Sequence, residues 1–150
     1  MITIKSAREL DTMARAGRIL HATLQRIREI IRPGMSTEDL DAEAERFIRS
    51  HPGALPSFKG LYGFPKTLCI SIDEEIVHGI PSPRRILPEG SIVSVDCGVC
   101  IAGLHAASAT TMPVGEITAE AQRLLDVTQE SLVAGIAACT VGHQVGDIGH

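Results

Sequence analysis

The chain of 150 residues predicts a mixed α+β fold in which an antiparallel sheet is covered on one face by helices. Three observations carry that reading. Two capped segments near the start repeat apolar residues at helical spacing, extended β-branched runs joined by short turns fill the middle, and a third helical pattern follows them. The length suits a single domain spanning 1–150, which would bury roughly 70% of the surface exposed by the unfolded chain.

Ser6-Ala-Arg-Glu9 is a capping box, and Leu10, Met13, Ala14, Gly17, Leu20, Leu24, Ile27 and Ile31 follow on one helical face until Pro33-Gly34 stops the run. Ser36 then caps a second helix with Leu40, Ala44, Phe47 and Ile48 on its apolar side, broken by His51-Pro-Gly. Three extended segments are expected next: Leu68 to Ile72, Ser91 to Cys100, and a return through Ala106 to Val114. Turns at Pro81-Ser-Pro, Pro88-Glu-Gly and Ile101-Ala-Gly separate them, the last reading as a hairpin. Thr118 starts a long helix with Ala121, Leu124, Leu125, Thr128, Leu132, Ile136 and Cys139 on one face, which Gly142 is expected to end. Residues Gly79 to Ser91 read as an exposed connection, and its Arg84 and Arg85 carry no evident role.

Composition narrows the function. A formal charge of −4 with both signs interspersed offers neither a basic stripe for nucleic acid nor a polybasic patch for membrane. Met1-Ile-Thr-Ile-Lys-Ser lacks the basic start and apolar stretch of a signal peptide, and no run of ~18 apolar residues occurs, so a cytosolic protein is expected. Cys97 and Cys100 form a C-x-x-C, but they fall along one strand instead of opening a helix, and no second pair or zinc-type histidine pair accompanies them. Free thiols that fill space are expected at Cys69, Cys97, Cys100 and Cys139.

Chemistry concentrates elsewhere. Asp96 lies inside Ser91-Ile-Val-Ser-Val-Asp-Cys-Gly-Val-Cys100, where an unpaired carboxylate is costly and calls for a partner or a metal. Upstream, the run from Leu68 ends in His78-Gly79-Ile80-Pro81. The order CISIDEEIVHGIP, LPEGSIVSVDCGV and GLHAASATTMPVG resembles the type I methionine aminopeptidases, from Met1 to His150 and most strongly between Lys59 and Gly115. The resemblance implies the pita-bread architecture, of which these residues would make about half.

It also implies a reaction: removal of the initiator methionine from nascent chains or other amino-terminal Met peptides. In the family, two divalent ions (cobalt, manganese, iron or zinc type) about 4 Å apart hold a hydroxide and polarise the scissile carbonyl. Asp96 matches the first metal ligand. His78 matches the histidine outside the metal shell that hydrogen-bonds the substrate and its tetrahedral intermediate. Phe58, Leu61, Phe64 and Cys69 match the small apolar pocket that selects methionine, a thiol beside an aromatic ring suiting a thioether; Leu61 stands where tyrosine is common.

Two departures set the expectation for activity. The family motif Gly-aromatic-His-Gly-Asp supplies a bridging carboxylate eleven positions after the first ligand, and here it reads Gly103-Leu-His-Ala-Ala107. The other family ligands, one histidine and two glutamates, belong to a carboxyl-terminal half beyond residue 150, and His150 falls just as Asp147-Ile-Gly-His begins to read as a helix. Weak or absent metal binding and little or no aminopeptidase activity are therefore expected. The alternative is a catalytically silent peptide-binding or assembly module, and a half fold should self-associate or meet a complementing chain. His105 could take metal only opportunistically; His143 and His150 read as solvated.

Overall fold

A computed structural model describes residues 3–149, in two units divided after Glu116. His150 lies outside the described residues.

In the first unit, helix α1 (Ala7–Ile30) opens on the expected capping box, the Ser6 side chain accepting from the Glu9 N–H while Glu9 Oε2 accepts from the Ser6 N–H at 2.7 Å. Its buried stripe is Ala16, Leu20, Thr23, Leu24 and Ile27. The expected stripe began earlier, at Leu10, yet Leu10 is 55% exposed and full burial starts only at Ala16. Helix α2 (Thr37–Arg49) repeats the device with Ser36 and Asp39 and buries Leu40, Ala44 and Ile48; Phe47 is half-buried, edge-on to His51.

The sheet has four strands, β1 (Ala54–Pro56), β2 (Leu68–Ile72), β3 (Ile92–Ile101) and β4 (Leu104–Pro113). All pairings are antiparallel. β4 lies along one edge of β3, while β2 and β1 share the other, β2 against Val93 to Cys97 and β1 against Val99 to Ile101. β1 was not anticipated; three residues ending in proline carry no alternation, and only the free edge of β3 makes them a strand. β4 begins two residues earlier than expected, because the hairpin turn is only Ala102-Gly103. Both have positive φ (51° and 78°), as a two-residue turn matching the sheet twist requires.

Alternation along β3 sorts the chemistry. Val93, Val95, Cys97, Val99 and Ile101 are buried and join Ile27, Leu40, Ile48, Leu68, Ile70 and Met112 in one core beneath α1 and α2. Each such aliphatic side chain contributes roughly 1.5–3 kcal/mol on burial. Ser94, Asp96, Gly98 and Cys100 alternate with them and so point to the opposite face. The two residues of the C-x-x-C thus face opposite ways along one strand, and all four cysteines are free.

The second unit holds helix α3 (Ala119–Ala138), capped by Thr118, and a single turn, α4 (Val145–Ile148). α3 ends four residues before Gly142, with Cys139 as its cap residue, and none of its residues is buried. The helix anticipated at Asp147 is a short turn in which Asp147 serves as the N3 partner of Gln144.

Candidate active site

The face of the sheet away from α1 and α2 collects residues singled out in the sequence. In the ladder Cys69 pairs with Asp96, and Asp96 pairs with Ala109 on its other side. Cross-strand partners share a face, so thiol, carboxylate and methyl group stand in one row. The next row is Gly98 and Ala107, which places Ala107 diagonally adjacent to Asp96 on that face. Ser71, Ser94 and Thr111 form the row on the other side, with Ser94 and Thr111 hydroxyls bonded at 2.9 Å.

Phe58 reaches this face over Gly98. A Cβ at Gly98 would stand 2.8 Å from Phe58 Cε1 and 2.8 Å from Ser57 Cβ, so the missing side chain is what admits the ring. Ser57 holds the approach, its N–H donating to Gly98 O at 2.9 Å and its hydroxyl bonded to His105 Nδ1 at 3.0 Å. His105 therefore fastens a loop. Leu61 and Phe64 belong to a one-turn 3-10 helix (Leu61–Gly63) and its cap; Phe64 is half-buried and Leu61 is 53% exposed.

His78 is exposed, with φ 62°, in the left-handed region that costs a residue with a Cβ about 1–2 kcal/mol. The next residue has to be glycine, because a Cβ at Gly79 would stand 2.0 Å from Ile70 O. Burial holds the Asp96 carboxyl above the usual range, against the lowering influence of the backbone hydrogen bond at Cys97 and of the nearby His78. Burial, then the charges of Asp96 and Asp41, push the Cys69 thiol up to about 11. Cys69 is thus a protonated, apolar wall beside a carboxylate.

Two residues that the sequence left unassigned matter here. Asp41, buried on α2, accepts from the Thr67 and Leu68 N–H groups at 2.9 and 2.8 Å and fixes where β2 starts. Arg85 binds carbonyls on both sides of His78, correcting the expectation that it had no role. The partners of both are main-chain atoms, which sequence spacing does not reveal.

The sequence profile described as metallopeptidase family M24 matches residues 11–150. The chain belongs to that family. It is 48% identical over 148 residues to the methionine aminopeptidase of Clostridium perfringens, covering 99% of this chain and 59% of the relative. It is 46% identical to methionine aminopeptidase 1 of Bacillus subtilis, covering 100% and 60%. The crystal structure of methionine aminopeptidase from Thermotoga maritima superposes with a TM-score of 0.96 at 35% identity, covering 100% of this chain and 60% of that one. The fold is accordingly part of the pita-bread architecture, and the M24 chain described here spans about 60% of the length of these relatives.

An M24 enzyme is by family description a metallopeptidase. A pair of divalent cations needs several charged donors converging on one face. Asp96 has only Ala107, Ala109, Gly98 and a protonated thiol around it in the ladder, and no group of three or more His, Cys, Asp or Glu able to hold a metal occurs among the described residues. These residues do not by themselves fit a metal pair.

Proposed function

We propose that this chain is a methionine aminopeptidase-like portion of one M24 domain, with residues 1–150 supplying a substrate-facing wall but an incomplete hydrolytic centre. The observation that supports it is the diagonal between Asp96 and Ala107: beside Asp96 stands a methyl group at the position where the family resemblance expects a second carboxylate. Cys69 and Phe58 offer a polarisable apolar surface for a thioether side chain, Asp96 an acceptor for a free amino terminus, and the His78 ring a donor to the first peptide carbonyl. The roles of His78, Asp96, Phe58, Leu61, Phe64 and Cys69 in this reading rest on the family resemblance together with their shared face or adjacent loops.

The natural ligand class is a peptide or nascent chain beginning with methionine. Unpaired cysteines suit a reducing compartment, and we place the protein where nascent chains are made. Release of methionine from a Met-Ala-Ser peptide with added manganese or cobalt is the deciding assay. We expect turnover at least ~100-fold below that of an intact relative, since losing a direct ligand should cost no less than the 10–100-fold typical of its supporting residues. Turnover equal to the relative's would overturn the reading.

The same diagonal favours a second reading, a peptide-binding or assembly module without hydrolysis. Saturable binding of Met-Ala-Ser with no methionine released would support it, as would a complex with a complementing or identical chain in sedimentation.

A further inference from the structure

We infer that Arg85 is a positioning residue for His78; the inference rests on the role given to His78 above and adds the device that holds it in place. His78 sits in a left-handed backbone conformation within residues 73–86, a stretch without helix or strand. Strain of this kind persists only where the surroundings over-determine it.

Arg85 and β2 supply that over-determination. The Ile70 N–H donates to Gly79 O at 2.8 Å, and the Gly79 N–H donates to Ser71 Oγ at 3.2 Å, so the residue after His78 is stitched to the outer edge of β2. Arg85 Nη1 then donates to Ile70 O at 3.0 Å and to Ile80 O at 2.9 Å, joining the same β2 residue to the residue after Gly79. Its Nη2 pairs with the Glu75 carboxylate, whose Oε2 also accepts from the Ile72 N–H at 2.9 Å. The main chain of Arg85 is itself fixed, because the Thr37 N–H at the start of α2 donates to Arg85 O at 2.8 Å.

One carbonyl is the hinge of this arrangement. Ile70 O is both the atom that a Cβ on residue 79 would strike and the atom that Arg85 grips. Fixing it fixes how closely Gly79 lies against β2, and hence where the neighbouring His78 ring stands relative to Asp96. A planar fork with several donors serves two carbonyls and a carboxylate at once, which a lysine does only in part.

The test uses the whole 150-residue chain with Arg85→Met, which keeps the aliphatic stem and removes every donor, and Arg85→Lys. Amide exchange is followed at Ile70 and Gly79, with Val93 and Val95 of β3 as internal reference, alongside calorimetric binding of Met-Ala-Ser. In Arg85→Met, exchange at Ile70 and Gly79 should rise at least ~10-fold while the β3 amides keep their protection, and peptide affinity should fall ~10-fold. Arg85→Lys should recover part of both. Unchanged exchange at Ile70 and Gly79, or a loss spread equally over β3, overturns the inference. Absence of peptide binding by the parent chain overturns the functional reading alone, since exchange still reports the clamp.

Discussion

Asp96 and Ala107 stand diagonally across the β3–β4 ladder on the same face of the sheet, so a carboxylate introduced at 107 would meet the one already there. Ala107 is exposed and belongs to no part of the core. Ala107→Asp should therefore fold like the parent chain, with stability within about 0.5 kcal/mol. It should bind manganese or cobalt at least ~10-fold more tightly in calorimetric titration. Equally weak binding by both variants would assign the deficit to donors outside residues 1–150.

Glycine is demanded at 79 and merely tolerated at 17. A Cβ at Gly79 would fall 2.0 Å from Ile70 O and 2.7 Å from its carbonyl carbon, both main-chain atoms that cannot swing aside. Gly79→Ala should cost about 3 kcal/mol in urea denaturation. Gly17 lies inside α1 with nothing within 4 Å of its Cβ position, so Gly17→Ala should stabilise by about 0.5–1 kcal/mol. Equal effects at the two sites would contradict the packing described.

Asp41 gives a pH signature of definite sign. Burial raises its folded pKa above the ordinary 3.8, against the lowering effect of the Leu68 and Thr67 N–H groups. The folded state therefore keeps its proton longer than the unfolded state, and stability falls as pH climbs from about 3.8 through the folded value. Asp41→Asn removes that titration while retaining an acceptor for the two N–H groups. Its stability relative to the parent should improve as pH climbs from about 3.8 through the folded value and level off above it. The lowered carboxyls of Glu9, Asp39, Glu43 and Glu45, all near the surface, cancel in the comparison. A relative gain on acidification would have the wrong sign.

The four thiols should separate by rate. Burial pushes Cys97 up to about 12 and Cys69 up to about 11, whereas Cys139 is exposed and Cys100 partly so. With a chromogenic disulfide reagent at pH 8, Cys139 and then Cys100 should react in the native protein, and Cys69 and Cys97 only on unfolding. Fast reaction of Cys97 would mean that the β3 core face is open.

Local signals made α1, α2, the hairpin and the Asp96 strand legible, because a capping box, a period and a turn dipeptide each act within a few residues. β1 was hidden for the opposite reason: Ala54–Pro56 are a strand only by virtue of a vacant edge more than forty residues away. The extent of the α1 stripe failed likewise, since periodicity tells which side of a helix is apolar but not where its support ends. For the site, the sequence proposed Asp96, His78, Cys69 and Phe58, and the fold brings Asp96, Cys69 and Phe58 to one face with His78 within electrostatic reach. Arg85 and Asp41 escaped because main-chain groups are present at every position and mark none.

Neither Ala107 nor Ala109 takes part in holding the hairpin together, for their methyl groups look away from the packed side and the strand is pinned by its backbone and its tight two-residue corner. A lineage could discard or reinstate a reactive group here through one codon and inherit an unaltered scaffold. Shape and chemistry are thus free to vary independently at this spot.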